Sequence, residues 1–148
     1  MKKRTLRSIA LVLVFCLVIP SFFAIAGATD YTPLRYDTSS LCSASLVVSS
    51  SNYAECKGTI SLYSQYRSGT IDASLALCKS SDQKYWSIDK SWDYNGPGYN
   101  GATSAFTITR NRFVESGYYY KVTFVVDVYD SNGTYIETLR ATSDVLYV

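Results

Sequence analysis

The sequence predicts an all-β domain, a single antiparallel β-sandwich of about seven strands, on three observations. Residues 118–128 alternate strictly, with Tyr118, Tyr120, Val122, Phe124, Val126 and Val128 on one face and Tyr119, Lys121, Thr123, Val125 and Asp127 on the other. That period of two belongs to a half-buried strand. Tyr, Val, Thr and Trp, which suit a pleated surface, are abundant after residue 29, and no stretch there repeats with a helical period. Clusters of Ser, Asn, Asp and Gly divide the alternating runs at regular intervals. A small closed barrel shares this alternation and is the alternative architecture.

Each element follows from its pattern. Residues 29–38 read as an extended lead-in, and residues 39–148 as the sandwich domain. A first strand covers residues 41–48, with Cys42, Ala44, Leu46 and Val48 on one face. Ser49-Ser50-Ser51-Asn52 turns the chain. Ala54, Cys56, Gly58, Ile60 and Leu62 then share a face. Arg67-Ser68-Gly69 is expected to close a hairpin onto a strand with Ile71, Ala73, Leu75 and Leu77 inward. After the Ser80-Ser81-Asp82-Gln83 turn, residues 85–92 form a strand with Trp86 and Ile88 inward. Residues 93–101 hold three glycines, two asparagines and Pro97, and read as the longest loop. Phe106 and Ile108 point inward on the next strand, which the polar Arg110-Asn111-Arg112 interrupts. The strongly alternating strand comes next and ends at Asp130-Ser131-Asn132-Gly133, where Asn-Gly suits a tight hairpin. Residues 134–148 supply the last strand.

The run Tyr120-x-Val122-x-Phe124-x-Val126-x-Val128 before a short hairpin resembles the penultimate strand of immunoglobulin-like and fibronectin-type-III-like sandwiches. That resemblance implies a corner hydrogen bond from Tyr118 or Tyr120.

Residues 1–28 have the three parts of a secretory signal peptide. Lys2, Lys3, Arg4 and Arg7 precede the apolar residues 9–19, and Ala24-Ile25-Ala26 and Ala26-Gly27-Ala28 offer small-residue cleavage sites. Cleavage is expected after Ala28; an uncleaved anchor is the alternative. On the first reading the domain is secreted or associated with the envelope, and meets the membrane only through the signal before cleavage.

The composition then excludes several classes. The chain has 14 Lys+Arg, 12 Asp+Glu and no His, a formal +2. Removing the four cations of residues 1–28 leaves ten against twelve, a net −2. A net-negative domain lacks the basic surface that nucleic acid demands. Without imidazole, His-based nucleophilic catalysis and His-ligated zinc are out. The cysteines show no Cys-x-x-Cys spacing, so no metal site and no cofactor is expected. Ser87 and Lys90 have dyad spacing but fall on opposite faces of a strand. Asp82, Asp89, Asp93, Glu115 and Glu137, the acids available for glycoside hydrolysis, sit at solvated or turn positions. Asp93-Tyr94-Asn95-Gly96 and Asp130-Ser131-Asn132-Gly133 echo the opening of a calcium loop without its later ligands, and read as turns.

Three cysteines follow the signal. Cys42 and Cys56 lie inward on consecutive strands and make the favoured disulfide, worth about 3 kcal/mol by loop closure; three reduced thiols are the alternative. The aromatics supply the candidate binding site. Trp92, Tyr94 and Tyr99 bracket the glycine-rich loop, and such rings stack on sugars or anchor proteins. The expected function is therefore a secreted, non-enzymatic binding or interaction module for an extracellular protein or glycan. Carbohydrate recognition by Trp92, Tyr94 and Tyr99 is one alternative, and a bacteriocin-like secreted effector another.

Lys84-Tyr85-Trp86 leading to Lys90-Ser91-Trp92, then Ser116-Gly117-Tyr118-Tyr119-Tyr120-Lys121-Val122 and Val128-Tyr129-Asp130-Ser131-Asn132-Gly133 with Glu137, resemble small secreted proteins of unknown function from Gram-positive anaerobes. The resemblance spans residues 70–148. It implies secretion and an all-β fold, and brings no activity with it.

Overall fold

The computed structural model describes residues 36–98 and 105–148. The segment read as a signal peptide, most of the lead-in and Tyr99 lie outside the described residues. Among the described residues eight strands form: β1 (Ser39–Val48), β2 (Tyr53–Leu62), β3 (Thr70–Ser80), β4 (Ser87–Pro97), β5 (Phe106–Phe113), β6 (Tyr119–Tyr129), β7 (Tyr135–Thr142) and β8 (Leu146–Tyr147). They make two antiparallel sheets. One has the order β1-β2-β5; the other has β4-β3-β6-β7, with β8 also on β6. Among the described residues no ladder joins the sheets, so the architecture is a sandwich and not a barrel. A three-stranded sheet thus packs against a five-stranded one, and the buried residues of both form one core. No helix among the described residues is long and apolar enough to cross a membrane.

Alternation explains β6. Tyr120, Val122, Phe124, Val126 and Val128 are buried, whereas the residues between them are half-buried on the outer face. The β2 face is as expected: Ala54, Cys56, Gly58, Ile60 and Leu62 all lie inside. The two sheets meet where Gly58 faces Phe124. A Cβ built on Gly58 would lie 2.5 Å from Phe124 Cδ2, closer than any real contact. The ring therefore fills the space that a side chain on β2 would need.

Tyr120 also makes the predicted corner. Its hydroxyl donates to the Glu115 carbonyl at 3.2 Å and accepts from the Glu115 N–H at 3.0 Å. A second tyrosine repeats the device on the opposite side of the sandwich. The Tyr36 hydroxyl donates to the Arg140 carbonyl at 2.5 Å and accepts from its N–H at 3.2 Å. Beside it, the Thr38 N–H donates to Glu137 Oε1 at 2.7 Å, and the Thr38 hydroxyl bonds the same oxygen. The end of the lead-in thus covers part of the β7 edge, and Glu137 is a structural acceptor rather than a solvated acid.

Four expectations are corrected. No hairpin forms at Arg67-Ser68-Gly69, because β2 and β3 belong to different sheets. The link is a 3-10 turn, Ser64–Tyr66, and the chain then passes so close to the β6–β7 hairpin that a Cβ on Gly69 would meet the Tyr129 carbonyl at 1.9 Å. Strand β5 continues through Arg110–Arg112 rather than stopping there, since its ladder to β2 pairs Arg110 with Cys56 and Arg112 with Ala54. The last strand divides in two at Ser143, whose N–H bonds the Val122 carbonyl at 2.9 Å while its hydroxyl accepts from the Val122 N–H at 2.9 Å.

The fourth correction concerns β4. Ile88 is 66 % exposed, and Trp86 is half-buried ahead of the strand instead of in the core. The ladder to β3 shifts between Leu77 and Cys78: Lys90 pairs with Leu77, but Ile88 pairs with Cys78. Asp89 is the extra residue. One inserted residue reverses the alternation. Trp92 faces inward opposite Leu75, and past the insertion Ile88, which the unbroken alternation would have set on the same face, turns out.

The close approach at Gly58 gives a direct test. Gly58→Ala must displace Phe124 or separate the sheets, and should lower unfolding stability by about 1–3 kcal/mol. Chemical denaturation will show this as a lower midpoint at unchanged slope; an unaltered midpoint would contradict the contact.

Candidate functional site

The end of the sandwich around the β3–β4 turn carries the most fully exposed ring among the described residues. The turn is built by two short side chains. Ser80 Oγ accepts from the N–H groups of Asp82 and Gln83, at 3.3 and 2.9 Å. Asp82 Oδ1 accepts from the N–H groups of Lys84 and Tyr85, at 2.9 and 3.0 Å. Those bonds favour the carboxylate: the Tyr85 N–H first, then that of Lys84, hold the Asp82 carboxyl below its ordinary range. Gln83 takes the left-handed conformation the turn needs, φ 62°.

The turn presents Tyr85 and Trp86. Tyr85 is 81 % exposed. Trp86 is pinned, because its Nε1–H donates to the Gln83 carbonyl at 3.0 Å and Lys121 Nζ lies 4.1 Å from its ring centre. A second lysine repeats the arrangement: Lys79 Nζ lies 3.7 Å from the ring centre of Tyr118 and 2.6 Å from Glu115 Oε2. The Glu115 bond raises the Lys79 pKa and lowers that of Glu115, so both stay charged. Tyr85, Trp86, Ile88, Tyr118, Lys79 and Asp89, with Ser80, Ser81 and Ser87, line an open depression of about 520 Å³. On the adjoining outer face Tyr119 and Tyr147 pack ring on ring, 4.9 Å between centres.

The residues proposed from sequence are placed differently. Trp92 and Tyr94 are not on a loop tip. Both are half-buried on β4 and pack against the core. The Tyr94 ring meets Phe106 at 4.4 Å between centres, and its hydroxyl donates to the Pro97 carbonyl at 3.0 Å. Tyr99 lies outside the described residues. The cause is that β4 runs on to Pro97, so Trp92 and Tyr94 lie opposite the inward Leu75 and Ala73, whereas Tyr85 and Trp86 belong to the turn before the strand.

The proposed Cys42–Cys56 disulfide is absent: Cys42, Cys56 and Cys78 are free thiols. Cys42 pairs with Ile60, and Cys56 pairs with Leu46. The two cysteines are offset by four positions, roughly 13 Å along the ladder, beyond the roughly 7 Å that a bridge spans. Burial pushes the Cys42 and Cys56 pKa values up to about 11, with Asp89 and Glu55 adding to the rise at Cys56.

The acids weighed for catalysis are mostly held in structure. Asp82 caps its turn, Asp89 pairs with Arg112 at 3.3 Å, and Glu115 pairs with Lys79. Asp130 Oδ1 accepts from the Asn132 and Thr134 N–H groups at 2.8 Å each, which is the turn chemistry expected there. Only Gly133 of that turn has positive φ, at 81°, so Asn132 does not take the mirror-image form. Among the described residues no group of three or more His, Cys, Asp or Glu side chains is placed to hold a metal.

Sequence reasoning missed Tyr85, Lys79 and Tyr118 as members of one site. It also missed that the β3–β6 register sets Asp72 directly opposite Asp127. The available signal for the site was the Ser80–Gln83 turn cluster standing immediately before two large aromatics. No known protein family matches the chain, and no curated protein does.

Two measurements check this picture. Few thiolates exist at a pKa of about 11, on the order of one in a thousand at about pH 8. A thiol reagent at that pH should therefore label Cys42 and Cys56 slowly in the folded protein and rapidly in denaturant; fast labelling of either without denaturant would contradict their environment. Asp82 has a folded pKa below its unfolded one, so the stability it contributes is present above the unfolded value and is lost as pH falls through the folded value. Amide signals of Lys84 and Tyr85 should shift together as acid protonates Asp82, below the ordinary carboxylate range, and the shift should vanish in Asp82→Ala.

Proposed function

We propose that the protein acts outside the cell as a non-enzymatic binding module, and that the end carrying Tyr85 and Trp86 is its contact surface. The observation that carries the reading is the pairing of an 81 % exposed tyrosine with a tryptophan fixed by its own turn, at the rim of an open depression. A folded domain gains nothing in its own core from that ring, whereas a partner covering it does. The rings are held in place before any ligand arrives, which reduces the ordering cost of binding. The charged, apolar and small-residue sequence of residues 1–28 supports export. The absence of His and the structural use of Asp82, Asp89, Glu115 and Glu137 favour binding over catalysis.

Glycan recognition centred on Trp92 and Tyr94 loses its support, since those rings are turned into the sandwich. An exposed aromatic site favours the binding reading over a membrane-active effector, which would need an amphipathic cationic element.

The test uses protein secreted from the full-length sequence and fluorescently labelled. It should bind bacterial envelope preparations saturably, and the double substitution Tyr85→Ala, Trp86→Ala should weaken binding about tenfold or more while the circular dichroism spectrum is kept. Equal binding by the folded double variant would move the contact surface elsewhere.

A further inference from the structure

The chemistry of the depression narrows its ligand class, an inference that rests on the binding reading above. The depression has one ammonium and one carboxylate in its wall, Lys79 and Asp89. Each already has a partner, Glu115 at 2.6 Å and Arg112 at 3.3 Å. A strongly charged ligand would have to compete with one of those pairs, and the wall offers it no net charge. What remains for a ligand is ring surface from Tyr85, Trp86 and Tyr118, the short hydroxyl of Ser81, and the acceptor side of the Ser87 hydroxyl, whose proton goes to the Lys79 carbonyl at 3.4 Å.

Flat apolar faces beside hydroxyls, with no net charge, complement one kind of molecule. A pyranose ring has C–H faces that lie on aromatic rings and a girdle of hydroxyls that exchange hydrogen bonds with serines. We propose that the depression binds a neutral oligosaccharide, with Tyr85 as the stacking platform and Trp86 as the fixed wall. The volume, about 520 Å³, is within the range of small-ligand sites. Its openness suits a chain that continues beyond the bound residues rather than an enclosed molecule. Lys121 over one face of Trp86 sets the ring's position, so the indole need not move to accept a sugar.

The experiment uses Trp92→Phe protein secreted from the full-length sequence, in which Trp86 is the sole indole. Neutral oligosaccharides, with glucose-, mannose-, galactose- and N-acetylglucosamine-based chains as probes, are titrated against its fluorescence. Saturable change with at least one, indifferent to added salt, is the expected result. Adding Tyr85→Ala should weaken it about tenfold, the scale of one lost aromatic contact; at 81 % exposure that residue can be removed without disturbing the fold. Three outcomes overturn the proposal. Binding of anionic chains only, abolished by salt, shows a charged ligand. Silence with every neutral chain, together with Tyr85-dependent binding to envelopes that protease treatment destroys, shows a protein partner and leaves the binding reading standing. Silence with every chain and envelope binding unchanged by the double variant removes both.

Discussion

The contact between Gly58 and Phe124 sets the distance between the two sheets, and much of the domain is arranged around it. Phe124 sits at the middle of β6, the strand that pairs with β3, β7 and β8. Gly58 sits at the middle of β2, which pairs with β1 and β5. The ring occupies the place of the missing side chain. Leu75, Val126, Ile60 and Cys56 then close around that contact as the buried centre. A larger residue on β2 would open the interior to a gap that its neighbours cannot fill, and close packing is what distinguishes one native arrangement from many loose ones.

The margins of the sheets are managed by other means. Two tyrosine hydroxyls each satisfy both backbone groups of a single residue, Glu115 at one end and Arg140 on the β7 edge. On the opposite side the margins of β4 and β5 are joined by the Asp89–Arg112 pair and the Tyr94–Phe106 contact. Asp89 thus has two effects: as the inserted residue it bends β4, which discourages pairing with a foreign strand, and its carboxylate reaches across to the other sheet.

Strand β6 was legible in the sequence because its alternation is unbroken over the whole strand; the corner came from the sandwich resemblance, which left Tyr118 and Tyr120 open until the hydroxyl of Tyr120 was seen on Glu115. The β1–β2 and β6–β7 turns were legible from Ser-Asn and Asn-Gly clusters. Two things were not. A turn signal does not say whether the chain returns to the same sheet, so the crossing after Leu62 looked like a hairpin. A single inserted residue is invisible in composition, yet Asp89 turns Ile88 out of the interior. The candidate site moved because the glycine-containing stretch read as a loop is paired strand up to Pro97, which lays Trp92 and Tyr94 along the core. The disulfide expectation failed for a related reason: both cysteines face inward, but a shared face does not fix their offset along the ladder.

The Thr38–Glu137 latch on β7 and the aromatic turn lie far apart on the same sheet. Glu137 pairs with Val128 at one extremity of β6, whereas Tyr119, at its other extremity, pairs with Ser80 beside the aromatic turn. The span between them is roughly 30 Å of strand. A change at Glu137 is therefore separated from Tyr85 and Trp86 by the length of β6, so the latch and the rings can be altered independently of each other.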